Sequence, residues 1–361
     1  MNSKSPKLDI SNHSFGLRFK KQDFDIHNFE SARAMNNKSS YFKAVSLGLL
    51  ISLPVQAWAV EGGIEAYLLG SRDSMAGMLP PAGSYWNNDF VFFNGTAPSL
   101  STGGVVVTDP EVDVFTYKFN FTHVFDATWG NTRLGLNVNL PYVSANGVYS
   151  GELSSGFSGT LHDTGEQALG DMTVTPLFNW NKDKLHTTLA LQFFLPTGHY
   201  QSTSVDVANR TVDALNASKN RFAFDPTVSM TWFDPASGWE VTGAFGITFS
   251  AKNDATDYQS APEAHLEATV MRHLPNKLAL GLTGYAYHQI GDDSGAGADA
   301  TKALLGANSL EARVFGIGPI VSWSTTIAST PVNFKAKYIS EFGAKRRFES
   351  DKFWLTVGVV F

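Results

Sequence analysis

Segments in which polar and apolar residues alternate recur along most of the chain after residue 83. In 113–123, DVFTYKFNFTH, an aromatic side chain occupies every second position from Phe115 to Phe121, and Thr, Lys and Asn lie between. A period of two places these sets on opposite faces of a β strand. Twelve strands are predicted, over residues 84–93, 113–123, 132–142, 172–180, 184–195, 222–232, 239–250, 264–274, 277–289, 312–324, 331–342 and 352–361.

The connections between these strands alternate strictly in length. Short turns fall at 125–131, 181–183, 234–238, 275–276 and 325–330, and longer polar loops at 94–110, 145–168, 197–220, 251–263 and 290–311. Four tryptophans lie near the short turns: Trp180, Trp232, Trp239 and Trp323. An even strand number, this alternation and aromatic residues at strand ends are typical of a transmembrane β-barrel. The sequence therefore predicts an all-β fold, a transmembrane antiparallel barrel of about 12 strands over 84–361 with both termini in the periplasm.

The two faces of the strands predict which residues line the lumen. The apolar face must point to lipid, because the polar face carries charges that would be costly in hydrocarbon. The pore-lining candidates are Lys118, Asn120, Arg133, Asn137, Asn139, His186, Gln192, Asp225, Glu240, Glu267, Lys335, Lys337 and Glu341. Alternatively, these charges pair with one another and fill the lumen, because a barrel of twelve strands is of intermediate width.

Residues 44–55 form the only strong apolar run, and they predict a secretory signal. Twelve residues are too few to span a bilayer as a helix. Lys38 and Lys43 supply a basic flank, and Ala57-Trp58-Ala59 has the small-x-small pattern of a cleavage site. We therefore expect a signal peptide over 35–59, cleaved after Ala59, and a location in the Gram-negative outer membrane; a short buried helix is the alternative. With Met35 as the true start, residues 1–34 would be a misassigned extension.

Composition excludes several classes of chemistry. Cysteine is absent, so there is no disulfide, thiolate metal site or Cys nucleophile. Residues 1–59 hold eight of the 27 basic and four of the 33 acidic residues, and removing them leaves a net charge of about −10. Such an acidic chain has no basic footprint for nucleic acid. No HExxH or phosphate-loop motif occurs, so neither a cofactor nor a metal is predicted; Asp292, Asp293 and Asp299 are expected to be solvated rather than to bind calcium.

An enzymatic alternative comes from a twelve-stranded outer-membrane phospholipase, which uses a Ser-His-Asn arrangement on its outward surface. His123, His265 and His288 are candidate bases by position. No local His–Ser pattern resembles the one in that phospholipase. We therefore predict that the protein is not an enzyme.

Residues 60–83 form a Gly- and Pro-rich segment before the first strand, and we expect it to plug or constrict the barrel at or inside its periplasmic mouth. Its candidate residues are Tyr67, Arg72, Asp73, Met75, Met78, Pro80 and Pro81. Ala76-Gly77 and 80–83 are suited to tight turns in a confined space. Arg72 and Asp73 are expected to pair with lumen charges such as Glu240 or Lys118. The alternative is a plain periplasmic linker, because connecting segments usually lie on the surface.

The same region resembles a known family. Residues 61–95, EGGIEAYLLGSRDSMAGMLPPAGSYWNNDFVFFNG, are similar to the start of the family named after the meta-pathway of phenol degradation. The matching elements are Glu61-Gly62-Gly63, Tyr67, Gly70, Asp73, Ala76-Gly77, Pro80-Pro81 and the aromatic strand YWNNDFVFF. GDMTVTPLFNW (170–180) and LPTGHY (195–200) also look like the family.

The resemblance implies passive uptake of small hydrophobic or aromatic compounds across the outer membrane, and it defines no site residues. Expected partners are outer-membrane lipid, these small molecules, and the barrel-assembly machinery, which would recognise the last strand ending in Phe361. Two alternatives stay open. One is a structural or surface-interaction barrel with a filled lumen, and the other is a barrel lipase.

Overall fold

The structure, a computed structural model, describes residues 61–102, 105–152, 158–206 and 208–360. The predicted signal peptide, the extension before it and Phe361 lie outside these ranges. Among the described residues, no helix has both the length and the apolar character needed to cross a membrane.

Twelve long antiparallel strands form a closed barrel. They are β1 (Gly83–Thr96), β2 (Val105–Trp129), β3 (Thr132–Glu152), β4 (Met172–Lys182), β5 (Leu185–Leu195), β6 (Ala223–Asp234), β7 (Trp239–Ser250), β8 (Glu263–His273), β9 (Leu278–Gln289), β10 (Arg313–Ile327), β11 (Thr330–Lys345) and β12 (Glu349–Val360). Each strand pairs with the next, and β12 pairs with β1 from Tyr85–Val360 to Thr96–Glu349. Closure gives each wall strand two partners, which satisfies the backbone in lipid. The predicted all-β barrel of twelve strands is confirmed, and every predicted strand overlaps one wall strand.

The two ends of the barrel differ in the length of their connections. Tight turns join β2 to β3, β4 to β5, β6 to β7, β8 to β9 and β10 to β11, and we name this the short-turn end. The opposite end, the long-loop end, carries the segments 97–104, 153–171, 196–222, 251–262 and 290–312. The connection between β11 and β12 also lies there, although residues 346–348 make it as short as a turn. The alternation of short and long connections therefore has one exception.

Several segments predicted as loops contain regular structure. The strands β2 and β3 have 25 and 21 residues, so they extend further toward the long-loop end than expected. Five short strands lie at this end, over Ser99–Thr102, Ser158–Asp163, Glu166–Leu169, Ser204–Asp206 and Thr211–Asp213. The helix α1 (Ala296–Leu305) also lies there and is capped by Gly306 with φ 59°, a left-handed conformation that suits glycine. The sequence pattern did not predict these strand residues, because small or weakly polar residues, such as those of 143–150, VSANGVYS, give little contrast between polar and apolar positions.

The outward face of the wall is apolar and the inward face is polar, as predicted. On β6 and β7, Val228, Met230 and Val241 are exposed, whereas the inward neighbours Thr231 and Thr242 are buried. This is the reverse of a soluble protein and is what a lipid-facing barrel requires. The four predicted tryptophans are exposed on strand segments at the short-turn end.

Candidate functional site

The residues before β1 run through the inside of the barrel, and we name residues 61–82 the inner segment. A single 3-10 turn at Glu61–Gly63 lies at the long-loop end, and the segment reaches the short-turn end where β1 begins. Tyr67, Leu69 and Asp73 are almost fully buried. The inner segment therefore crosses the lumen before the chain enters the wall.

Ionic contacts hold the first residues of the inner segment at the long-loop end. The Glu61 carboxylate lies 2.5 Å from Nη1 of Arg221 and accepts hydrogen bonds from Asn253 and Thr256. The Glu65 carboxylate lies 2.8 Å from Nη1 of Arg347. Both pairs are largely removed from solvent, where an ion pair is screened less than on a surface.

Further along, the segment contacts inward-facing side chains of β8 and β11. The Tyr67 hydroxyl donates to Glu267 at 2.5 Å, and its ring stacks on His265 with the ring centroids 3.8 Å apart. The Asp73 carboxylate lies 2.5 Å from Nζ of Lys335 and 2.7 Å from Nζ of Lys337. Removing one partner of such a buried pair would leave an uncompensated charge.

Near the short-turn end the inner segment bonds to the wall mainly through its backbone. Ser74 Oγ and Met75 N donate to the Glu240 carboxylate at 2.9 and 2.8 Å. The Gly77 N–H donates to Thr231 Oγ1, and its carbonyl accepts from Asn179 and Thr188. The Arg133 guanidinium donates to the carbonyls of Leu79 and Pro80.

Three details differ from the sequence-based expectation for this segment. It starts at the long-loop end rather than at the mouth where β1 begins, because the contacts of Glu61 are all with residues of the long loops. Asp73 pairs with Lys335 and Lys337 rather than Lys118, and Glu240 binds Ser74 and Met75 rather than Arg72. Pro81 is exposed at the short-turn end. A one-dimensional pattern carries no information on which lumen charge a distant segment meets.

The inner segment leaves part of the lumen free. A cavity of about 690 Å³ lies between it and the wall, mainly along β1 to β5. Its lining includes Leu215 and Lys219 at the long-loop end and Thr325 and Pro331 at the short-turn end. We name this space the lumen cavity. It extends along the barrel beside the inner segment.

The lining of the lumen cavity changes along its length. Toward the long-loop end it is mostly apolar, with Val91, Phe93, Val114, Val143, Ala145 and Phe194. Toward the short-turn end amide and hydroxyl side chains join the lining, with Asn87, Asn120, Thr122, Asn137 and Asn139. Asn139 donates to Asn137 at 2.8 Å, and Asn137 donates to Asn120 at 2.6 Å, which forms a ladder of side-chain amides across β2 and β3.

The predicted lumen residues separate into three groups by their contacts. Lys118, Asn120, Asn137, Asn139 and Gln192 line the lumen cavity. Arg133, Glu240, Glu267, Lys335 and Lys337 bind the inner segment. The other three bond elsewhere. His186 bonds to Asn181, and Asp225 bonds to Thr227, Thr248 and His265. Glu341 bonds to Tyr285, Ser350 and Lys352 of the wall and to Arg347 in the connection between β11 and β12.

The candidate residues of the inner segment also differ in what they contact. Tyr67 and Asp73 are buried against the wall, and Met75 donates its backbone N–H to Glu240. Arg72, Met78 and Pro80 line the lumen cavity. Whether any of these residues constricts a permeation path stays a prediction.

Sequence reasoning missed several residues of this site. Lys219 and Arg221 line the lumen cavity but come from a long loop, ASKNR, which has no periodic pattern. Asn179, Thr188 and Thr231 bind Gly77, and they lie on the polar face of strands that were predicted correctly. The alternation on β4, β5 and β6 could therefore have predicted that these three side chains face the lumen.

The acidic residues of 290–311 have local partners. Asp293 accepts hydrogen bonds from Tyr258, Ala261 and Gln289, and Asp292 accepts from Leu310 N and Lys302. In the described part of the chain, no group of three or more His, Asp or Glu residues could hold a metal ion. Burial raises the pKa of Asp293 to about 6, and its hydrogen bonds partly offset that effect.

The three candidate bases differ in their surroundings. His265 Nε2 lies 3.0 Å from Asp225, and His288 Nε2 lies 3.1 Å from Glu311. His123 Nδ1 lies 3.0 Å from Ser84 Oγ, across β1 and β2 at the short-turn end. Within the described residues, no carboxylate or amide orients the other His123 nitrogen, as a catalytic triad requires.

Most of the barrel sequence matches a known family. The family model described as "Putative MetA-pathway of phenol degradation" matches residues 95–357. The chain belongs to this family. The matched region includes the family-like segments 170–180 and 195–200 and, of 61–95, only Gly95. The resemblance inferred from sequence is confirmed, although the family model matches the barrel and not the inner segment. A search of curated proteins found no match.

Among similar solved structures, an outer-membrane channel has the same fold. The COG4313 outer-membrane channel from Pseudomonas putida F1 superposes with a TM-score of 0.60 at 15% identity, over 80% of this chain and 99% of that one. The transport unit of the Escherichia coli autotransporter AIDA-I has a TM-score of 0.45 at 9% identity, over 83% and 94% of the two chains. The β domain of the Bordetella autotransporter BrkA has a TM-score of 0.44 at 13% identity, over 78% of this chain and 100% of that one. The first shows that this is an outer-membrane barrel fold.

Proposed function

We propose that this family member is an outer-membrane channel for the passive uptake of small hydrophobic or aromatic compounds. The observation that carries the proposal is the lumen cavity, which runs beside the inner segment between the two ends of the barrel. An apolar stretch lies on the long-loop side of it and an amide ladder on the other. Family membership, and the channel described for the P. putida protein, support the same function.

Diffusion through such a channel needs no cofactor. The apolar half would take up a ring or alkyl group from water, because burial of apolar surface is favourable. The amide half would solvate polar substituents with weak hydrogen bonds, so that a solute can leave again, since conduction requires binding that is neither absent nor tight. The inner segment would narrow the path, because it occupies one side of the lumen.

The test is permeation through liposomes that contain the purified protein. We expect entry of small aromatic solutes at rates that exceed those of empty liposomes. Deleting 64–80 removes most of the inner segment and should raise single-channel conductance. Normal insertion with no conductance in both forms would instead favour a structural barrel with a filled lumen. Equal conductance of the two forms would mean that the segment is only a linker.

The placement of the barrel in the membrane is part of the proposal. The short turns would face the periplasm and the long loops the outside, as in other outer-membrane barrels. The signal peptide would be removed after Ala59, and the barrel-assembly machinery would recognise β12 and Phe361. The N-terminal end of the inner segment would then lie toward the outside and the C-terminus in the periplasm.

A barrel esterase is the alternative from another class, and the structure makes its test specific. The Ser84–His123 pair is the Ser–His contact to test. The backbone N–H groups of the wall near Ser84 take part in the β1–β2 and β1–β12 hydrogen-bond ladders. They are therefore not free to bind an oxyanion, which argues against an oxyanion hole there. Ester hydrolysis by the wild type that S84A and H123A both abolish would favour the esterase; hydrolysis unchanged by both would exclude this pair.

A further inference from the structure

The lumen cavity has a cationic lining inside an acidic protein. Five basic side chains line it, namely Arg72, Lys118, Lys219, Arg221 and Lys352, against the two carboxylates of Glu65 and Asp171. The whole chain has a formal net charge of −6. A cleft of one sign with low-dielectric walls concentrates ions of the opposite sign.

Three of the five cations have carboxylate partners. Lys118 lies 3.2 Å from Asp89, Lys352 lies 3.0 Å from Glu341, and Arg221 lies 2.5 Å from Glu61. Within the described residues, the Lys219 ammonium and the Arg72 guanidinium have neither a hydrogen bond nor an ion pair. In the same part of the chain, two nitrogen atoms of Arg221, Nε and Nη2, also have no hydrogen-bond partner among the described residues.

The acidic residues of the lining do not neutralise these two groups. Glu65 is paired with Arg347 at 2.8 Å. Asp171 accepts hydrogen bonds from Gly198 N, Ser218 Oγ and Lys219 N, so its oxygens are engaged by the loop around it. The two groups free to meet a solute in the lumen cavity are therefore both cations.

The surroundings of Lys219 favour a bound anion. Burial, and next the charge of Arg221, lower the pKa of Lys219 to about 8, whereas Glu61, Glu65 and Glu263 act in the opposite direction. Carboxylates thus act on Lys219 only from a distance, and within the described residues none of them forms an ion pair with its ammonium. A partly buried ammonium with no direct ion pair is a group that an incoming anion would stabilise. Apolar side chains such as Phe194 and Leu215 line the same part of the lumen cavity.

We infer that the lumen cavity selects small anions with an apolar body, such as aromatic monocarboxylates, over neutral and cationic solutes of the same size. The carboxylate would meet Lys219 and then Arg72, while the ring contacts the apolar wall. Rings of Lys and Arg give anion selectivity in other pores. The inference rests on the proposed channel function and adds the charge of its preferred solute.

Three solutes with one ring and different charges test it: benzoate, benzyl alcohol and benzylamine. We expect benzoate to enter protein-containing liposomes faster than benzylamine by about fivefold or more, the order of effect of one partly screened charge at short range. In planar bilayers under a KCl gradient, the reversal potential should have the sign of a chloride-preferring channel.

Two single variants and one control locate the effect. K219Q and R72Q should each reduce the benzoate preference, and neither removes a side-chain hydrogen bond or ion pair found within the described residues. K219R should retain the preference, because guanidinium keeps the charge. K182Q is the matched control, since Lys182 is exposed at the end of β4 and does not line the lumen cavity.

The outcomes separate the two proposals. Equal entry of benzoate and benzylamine, or a preference that K219Q and R72Q leave unchanged, would overturn the anion inference and leave the channel standing. No entry of any of the three solutes, together with no conductance, would overturn the channel proposal itself.

Discussion

The Asp73 carboxylate lies 2.7 Å from Nζ of Lys337, although 264 residues separate the two in the sequence. The same carboxylate lies 2.5 Å from Nζ of Lys335, and Lys337 also donates to the carbonyl of Gly70. The Lys337 ammonium lies 3.9 Å from the centroid of the Trp354 ring. One acidic residue of the inner segment is thus the counter-charge for two neighbouring lysines of β11.

D73N should loosen the inner segment. Asparagine keeps the size of the side chain but leaves Lys335 and Lys337 without a negative partner, and breaking a buried pair in this way typically costs about 3–5 kcal/mol. We expect more frequent openings and a higher mean conductance in single-channel recordings. D126N is the control, because Asp126 is exposed on β2 and the change in net charge is the same. Traces of D73N that match those of D126N would contradict the proposed role.

G77A should displace the inner segment at a different point. A Cβ on Gly77 would lie 2.4 Å from Thr231 N and 2.6 Å from His186 O, which are backbone atoms of the wall. The bonds of Gly77 with Thr231, Asn179 and Thr188 would then be lost together. We expect trypsin to cleave after Arg72 faster in G77A than in the wild type.

The control for G77A is G243A. A Cβ on Gly243 would lie no closer than 3.9 Å to its nearest neighbour, the carbonyl oxygen of Glu267, so alanine can be accommodated. Equal resistance of G77A and the wild type to cleavage after Arg72 would show that the segment tolerates the added carbon, and that its contact with β5 and β6 is looser than the structure indicates.

The position of Glu61 predicts on which side of the membrane the inner segment begins. Its partners Arg221, Asn253 and Thr256 lie in long loops. An epitope tag placed immediately before Glu61 should therefore be bound by antibody on intact cells, as should a tag in the loop at 208–210. A tag in the short turn at 235–238 should be bound only after the outer membrane is permeabilised. A tag before Glu61 that behaves like the turn tag would contradict this topology.

The wall could be predicted from sequence because its pattern is local. Alternation in single strands such as 113–123 gave β2, and the polar face gave Lys118, Asn120, Asn137 and Asn139 as residues facing the lumen. The interior could not be predicted in the same way. The pairing of Asp73 with β11, and of Glu61 with Arg221, depends on closure of the barrel, which brings together residues separated by 160 positions or more.

The buried carboxyl group of Asp293 predicts that the stability of its loop, at the long-loop end, depends on pH. Asp293 is almost fully buried and accepts from the Tyr258 hydroxyl at 2.5 Å and from Ala261 N at 2.8 Å. Burial raises its pKa from 3.8 to about 6. The folded loop therefore binds the proton more tightly than the unfolded loop, and this stabilisation is complete below pH 4 and is lost as the pH rises through about 6.

Hydrogen exchange can measure that loss. The amides of Gln259 and Ser294 bond to each other's carbonyls and report on opening of this loop. After correction for intrinsic exchange rates, we expect their protection to fall between pH 4.5 and 7, by at most about 3 kcal/mol in the free energy of local opening. D293N should abolish this change, because asparagine does not titrate. D299N, which removes an exposed carboxylate of α1, should retain it, and a D293N loop with the pH dependence of the wild type would assign the effect to another group.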